Sequence, residues 1–130
     1  MNKKDARILV VDDERGIRDL LFFELSSEGY QVVTAQDGAE ALAKAQKEKF
    51  QLIITDVMMP KMDGIALLSA VKKLDPSIEV IVSTGFGHSD TISAAIKEGA
   101  YSILLKPVDM NDFLELVDKL VEKLVSPMVV

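Results

Sequence analysis

The sequence contains no cysteine, and this absence excludes disulfides, thiolate metal sites and cysteine nucleophiles. Its single histidine, His88, stands at the expected start of a helix, which favours a solvated loop residue over a phosphate carrier. The first apolar run, residues 8–11, is too short for a signal peptide or a membrane span. We therefore expect a cytoplasmic protein without a membrane partner.

Positive charge is also scarce. The 15 Lys and Arg residues are outnumbered by 21 Asp and Glu, which gives a formal net charge of -6. A phosphate backbone would be repelled over most of such a surface, so we expect no direct nucleic-acid binding by this chain. At 130 residues, with 48% hydrophobic and 28% charged residues, the chain suits one soluble globular domain.

Five apolar runs alternate with five stretches of helical spacing. This rhythm predicts an α/β fold, a parallel sheet with right-handed crossovers and helices on both faces. The domain is expected to cover residues 1–125, followed by a short tail, 126–130, after a break at Ser126-Pro127. The predicted strands are residues 8–11, 30–34, 51–56, 78–82 ending in 83–85, and 101–105.

Glycine, proline and aspartate mark where the predicted helices begin and end. Gly29 ends the first helix, Asp63 is the expected N-cap of the third, and Asp75-Pro76 terminates it. Ser89 or Asp90 is expected to cap the fourth helix, which Gly99 stops, and Asp109 opens the fifth.

Polar side chains follow four of the predicted strands at their carboxyl ends. These residues are Asp12 and Asp13, Asp56, Thr84, and Lys106. Because the carboxyl ends of parallel strands share one edge of a sheet, the five can meet there. Like charges ~4 Å apart repel by on the order of 4 kcal/mol at an effective dielectric of ~20. The cluster must therefore hold protons through raised pKa values or bind a cation.

The possible ligands in this cluster are all oxygens, which favours a hard divalent ion. Mg²⁺ fits best, since it binds through one or two carboxylates, keeps waters and completes its shell with phosphate oxygens. Lys106 and the Thr84 hydroxyl could then hold a phosphoryl group while the Asp56 carboxylate acts as its nucleophile. Taken singly each feature is weak, because Asp12-Asp13 could simply cap a helix. The joint pattern indicates phosphoryl chemistry.

Four motifs resemble those of bacterial two-component response regulator receiver domains. They are Val10-Val11-Asp12-Asp13-Glu14, the stretch Asp56-Val57-Met58-Met59-Pro60-Lys61-Met62-Asp63-Gly64, Ser83-Thr84-Gly85 and Lys106-Pro107. The resemblance covers roughly residues 7–124 in the order and spacing of the chemotaxis-regulator-like members. It implies a flavodoxin-like fold, five parallel strands in the order 2-1-3-4-5 with five helices.

The resemblance also implies roles for single residues. Asp56 would accept a phosphoryl group from a histidine kinase or a histidine phosphotransfer protein, in a transfer that the chain itself catalyses. Asp13 and Asp56 would bind Mg²⁺ (or Mn²⁺) directly, Asp12 through water and Met58 through its backbone carbonyl. Lys106 would pair with the phosphoryl group. The peptide bond before Pro107 is expected to be cis.

One position departs from the pattern of the family. Many members carry an aromatic switch residue three positions before the lysine, where this chain has Ile103. Tyr101 is expected on the same side of the strand by alternation, packed against a neighbouring helix. We expect Thr84 to lead a shift of residues 85–88, with Ile103 repacking, that changes the face of helix four, strand five and helix five towards a partner or output domain.

Two positions that resemble the family's modulators of dephosphorylation are Met58 and Phe86. Both are bulky and lack a group to orient an attacking water, so we expect a long-lived phosphoryl group.

Other functions remain open at this point. A Mg²⁺-dependent aspartyl-phosphate hydrolase of the haloacid dehalogenase type also uses an Asp at a strand end. It needs a second acid two residues later, where this chain has Met58. Alternatively, the chain is the receiver piece of a larger transcription regulator or hybrid kinase.

Overall fold

The computed structural model of the chain describes residues 5–85 and 89–125, where five strands alternate with five helices. The expectations for Phe86, His88 and the tail 126–130 lie outside these residues. The elements are β1 Arg7–Val11, α1 Arg15–Ser27, β2 Gln31–Ala35, α2 Gly38–Lys47, β3 Leu52–Asp56, α3 Gly64–Leu74, β4 Glu79–Thr84, α4 Ser89–Lys97, β5 Ser102–Leu105 and α5 Met110–Val125.

All strand pairs are parallel, and the order across the sheet is β2-β1-β3-β4-β5, which confirms the expected topology. The chain first adds β2 on one side of β1 and then places β3 on the other. Ligands of open α/β sheets bind where the strand order reverses, outside the carboxyl ends of the strands. In this fold that place is the edge formed by the ends of β1 and β3.

The core has two halves because successive residues of a strand point to opposite faces of the sheet. In β1, Leu9 belongs to the cluster that includes Leu68 of α3, whereas Ile8 belongs to the cluster of Phe113 and Val117 of α5. Both faces of the sheet are therefore covered. This explains why the strands read as continuous apolar runs and not as alternating ones.

Several predicted ends are confirmed. Gly29 follows α1 with a φ of 97°, a backbone conformation that glycine adopts readily. The Asp63 carboxylate accepts a hydrogen bond from the Ala66 N–H at 2.8 Å and so caps α3. The cap predicted at Asp109 is also present, since its carboxylate accepts a hydrogen bond from the Asp112 N–H at 3.0 Å.

Each predicted strand differs from the observed one by one or two residues at one or both ends. Tyr30 lies outside β2 because its N–H closes the end of α1 on the Leu25 carbonyl, and the strand runs one residue further, to Ala35. β4 continues to Thr84, beyond the limit expected at Val82, because its last residues pair with Leu104 and Leu105 of β5.

None of the helices in the described part of the chain combines the length and the apolar character needed to cross a bilayer.

Candidate functional site

Three carboxylates come together at the edge where the strand order reverses. Asp12 and Asp13 follow β1, and Asp56 is the last residue of β3. One carboxylate oxygen from each of the three lies within 4.8 Å of the other two. Asp12 and Asp56 are only 3% and 6% exposed, while Asp13 faces solvent. The structure thus gathers the predicted acids into one pocket with an open side at Asp13.

Lys106 is the cation of this pocket. Its Nζ lies 2.7 Å from Asp56 Oδ2, and its backbone N–H donates to the Thr84 carbonyl at 2.9 Å. Partial burial lowers the pKa of the Lys106 amine, but the hydrogen bond and the negative charge of Asp56 outweigh it, so the pKa is raised overall. The ammonium is therefore fully charged at neutral pH. The peptide bond between Lys106 and Pro107 is cis, as expected.

The surroundings of the Asp12 carboxyl disfavour its charged form. Burial raises the pKa of Asp12, and the negative charge of Asp56 adds to this, while the Glu14 N–H at 2.9 Å from Oδ1 partly offsets the rise. Three acids with one lysine leave the pocket with a net negative charge. Such a pocket gains free energy by binding a cation.

The loop between β3 and α3 holds the Asp56 carboxylate through a hydrogen bond to the oxygen that Lys106 does not contact. The Met58 N–H donates to Asp56 Oδ1 at 3.2 Å, and the Gly64 N–H donates to the Val57 carbonyl at 3.0 Å. Gly64 lies so close to the end of β3 that an added Cβ would be 2.3 Å from the Asp56 carbonyl oxygen. The glycine therefore allows α3 to begin directly beside Asp56.

Thr84 and Ile103 lie on neighbouring strands, two residues apart in the register of the pair. Thr84, which is 3% exposed, ends β4. Ile103 of β5 pairs with Val82 of β4. The half-buried Ile103 side chain packs against the core cluster that contains Ala95 of α4. Ile103 therefore lies in the strand next to the one that carries Thr84 and packs against a cluster to which α4 contributes.

The prediction that Tyr101 shares a side of β5 with Ile103 is wrong. β5 begins at Ser102, so Tyr101 precedes the strand and alternation does not apply to it. Its ring packs against the core cluster on the α5 side, with Lys123 Nζ 5.6 Å from the ring centre. The expectation that Tyr101 packs against a neighbouring helix is confirmed.

Two contributors to the site were missed from the sequence. Arg18 Nη1 donates to the Asp12 carbonyl at 2.7 Å, a contact that depends on how α1 folds back over the end of β1. Thr55 is fully buried, and its hydroxyl donates to the Asp56 carbonyl at 3.0 Å. The available signal for Thr55 was a lone hydroxyl inside an apolar strand.

The loop between β3 and α3 holds a strained residue, Lys61, with a φ of 69°. The Met62 N–H donates to the Pro60 carbonyl at 2.9 Å, so a tight three-residue turn is centred on Lys61. We expect Lys61→Gly to be more stable than Lys61→Ala by about 1 kcal/mol, because only glycine adopts this conformation without a Cβ penalty.

Both variants lack the ion pair between the exposed Lys61 Nζ and the buried Asp37, 3.5 Å apart, so its loss cancels when their stabilities are compared. Chemical denaturation of both variants measures the difference in stability. Equal free energies of unfolding would show that the turn is unstrained.

Residues 8–118 match the family model of the response regulator receiver domain. The chain is 40% identical over 119 residues to sporulation initiation phosphotransferase F of Bacillus subtilis, which covers 92% of this chain and 94% of that protein. It superposes with a TM-score of 0.89 on a CheY-like receiver domain protein of Methanospirillum hungatei, at 34% identity, covering 92% and 95% of the two chains.

A second kind of relative is much longer. The chain is 41% identical over 123 residues to the transcriptional regulatory protein GlrR of Escherichia coli, a match that covers 95% of this chain and 28% of the regulator. The chain therefore spans little more than a quarter of that relative. The family match and the shared fold agree with the acid pocket at the edge where the strand order reverses. The chain belongs to the response regulator receiver domain family.

Proposed function

We propose that Asp56 accepts a phosphoryl group from the phosphohistidine of a sensor histidine kinase or histidine phosphotransfer protein. The observation that carries this proposal is the convergence of three carboxylate oxygens within 4.8 Å, with Lys106 Nζ 2.7 Å from Asp56. In the transfer the N–P bond to histidine breaks and a bond forms between phosphorus and a carboxylate oxygen of Asp56. Receiver domains act with histidine kinases and output domains, which is consistent with this assignment.

The donor set of the pocket fits Mg²⁺ or Mn²⁺. It consists of carboxylate oxygens, without imidazole or thiolate in this cluster of described residues. We propose that Asp13 and Asp56 bind the ion directly, that Asp12 binds it through water, and that the Met58 backbone carbonyl completes the protein ligands. When bound, the ion offsets the negative charge of the acids and of the incoming phosphoryl group.

The chain's own residues supply positioning and charge. Lys106 already contacts one Asp56 oxygen, so its ammonium stands ready to hold a phosphoryl oxygen after transfer. Thr84 ends the adjacent strand and supplies a hydroxyl for a second oxygen. Because phosphoryl transfer needs little beyond positioning and electrostatic stabilisation, these groups are sufficient for the chain to catalyse its own modification.

The first test is incubation with acetyl phosphate, a small donor that needs no kinase. We expect intact-protein mass spectrometry to show one added phosphoryl group with Mg²⁺, and none when EDTA removes the metal, since the acids then repel the donor. Uptake that proceeds equally with EDTA would contradict the metal-dependent mechanism. Uptake of more than one group would contradict a single acceptor.

We further propose that phosphorylation shifts the population of the face formed by α4, β5 and α5, with Thr84 moving first and Ile103 repacking against α4. Chemical shifts of Ile103 and of α4 and α5 should change when beryllofluoride and Mg²⁺ are added to the native chain. The matched control is Asp56→Asn under the same conditions, where no change is expected. An unaltered face in the native chain would rule out this switch.

The longer relatives support a wider setting. Because GlrR is a transcriptional regulator of which this chain matches 28%, we propose that a partner or output domain reads the phosphorylated face. The hydrolase alternative gains no support. Its second acid would stand at position 58, which is methionine, and the family match is to receiver domains.

A further inference from the structure

The β3–α3 loop carries three of the four methionines that the structure describes, and they differ in exposure. Met58 is 74% exposed, whereas Met59 and Met62 are half-buried. The Met59 sulfur lies 3.8 Å from the buried Thr55 hydroxyl, and Met62 packs over Gly38 at the start of α2. Met58 is thus the methionine of this loop that presents its side chain to solvent.

Met58 also contacts the Asp56 carboxylate through its main chain. Its N–H donates to Asp56 Oδ1 at 3.2 Å, so its main chain is fixed against the reacting group. Its side chain borders a cavity of about 480 Å³ that Asp90 of α4 also lines. A chemical change at the Met58 sulfur therefore occurs in a residue whose main chain already contacts the Asp56 carboxylate.

We propose that Met58 is a peroxide-sensitive modification site, and that its oxidation to the sulfoxide shortens the lifetime of the phosphoryl group on Asp56. The second half rests on the proposed function of Asp56. In the oxidation, a sulfur lone pair attacks one oxygen of hydrogen peroxide and the O–O bond breaks. The sulfur keeps that oxygen and loses two electrons, while the proton of that oxygen passes to the other one, which leaves as water.

Exposure makes Met58 the favoured target among the methionines that the structure describes. No cysteine competes for the oxidant. Among the described methionines, Met59, Met62 and Met110 are each partly shielded by packing.

The sulfoxide changes what the side chain can do beside Asp56. A thioether is at most a weak acceptor, whereas the sulfoxide oxygen is polar and accepts a hydrogen bond from water. Hydrolysis of an aspartyl phosphate requires a water placed in line with the phosphorus, and a group that holds this water lowers the barrier. One added hydrogen bond accelerates loss by about 2- to 10-fold.

The first measurement follows oxidation alone and does not depend on phosphorylation. The native chain is treated with dilute hydrogen peroxide, and peptide mapping by mass spectrometry gives the oxidation rate at each methionine. We expect Met58 to be oxidised severalfold faster than Met59, Met62 and Met110. Equal rates at Met58 and Met59 would overturn the assignment of the site.

The second measurement follows loss of the phosphoryl group after acetyl phosphate is removed, before and after peroxide. We expect faster loss in the oxidised native chain. In Met58→Leu, peroxide should no longer change that variant's own rate of loss, while Met59→Leu should respond like the native chain. Met58→Gln, which carries a polar oxygen at similar reach, should lose the group faster than Met58→Leu without any peroxide.

The outcomes separate the two proposals. An oxidised native chain with an unchanged rate of loss overturns the regulatory role of Met58. A native chain that takes up no phosphoryl group before oxidation overturns the function proposed for Asp56, and the regulatory role with it. The order of oxidation remains readable from the peptide map in either case.

Discussion

Asp56→Asn is expected to abolish phosphoryl uptake from acetyl phosphate, reducing the single added group to none. The amide keeps the size of the carboxylate but lacks the anionic oxygen that must attack phosphorus. The fold should survive, because the substitution relieves repulsion in a pocket of three acids while it removes the 2.7 Å contact with Lys106. Intact mass spectrometry measures uptake, and thermal unfolding verifies that the variant is folded.

The matched control for this experiment is Asp63→Asn. It removes a carboxylate from the same loop by the same chemical change, and Asn caps a helix as well as Asp does. The exposed Asp63 contacts the Ala66 N–H and does not belong to the acid cluster, so uptake should continue. If Asp56→Asn still gained one phosphoryl group, another residue would be the acceptor and the proposed function would be wrong.

Most of the fold was predictable from the sequence, because buried strands and the buried sides of helices each have a recognisable apolar pattern. The apolar run Leu52 to Ile54 is fully or almost fully buried in β3, and the helical spacing of Phe113 and Val117 marks the buried side of α5. The acid pocket was equally predictable, because it follows from polar residues placed at the ends of parallel strands. The strand order itself needed the family resemblance, because local patterns do not determine which strands are neighbours.

The parts that escaped prediction depend on tertiary contacts between distant segments. β4 runs to Thr84 because β5 continues to pair with it, and Tyr101 turns towards α5 because the strand has not yet begun. The Arg18 contact with the Asp12 carbonyl requires α1 to lie over the end of β1. Each of these outcomes is decided by where another element lies, which no short window of sequence contains.

Gly64→Ala is expected to destabilise the chain by about 3 kcal/mol or more, a large part of the total stability of a domain of this size. The added Cβ would lie 2.3 Å from the Asp56 carbonyl oxygen and 2.9 Å from the Val57 Cα. Both obstacles are backbone atoms at the end of the central strand, so no side-chain rotation can relieve the clash. Either the start of α3 or the end of β3 must move, and each of these movements displaces Asp56 or its loop.

The control is Gly16→Ala in α1, where an added Cβ meets no heavy atom within 4 Å. There the same substitution should stabilise the chain by roughly 0.5–1 kcal/mol, because alanine favours the helix. Urea denaturation of both variants gives the two free-energy changes, and phosphoryl uptake shows whether the site is disturbed. A Gly64→Ala variant as stable as the native chain would mean that α3 can begin further from Asp56 than the structure places it. The glycine would then have no part in bringing the Asp56 carboxylate and its loop together.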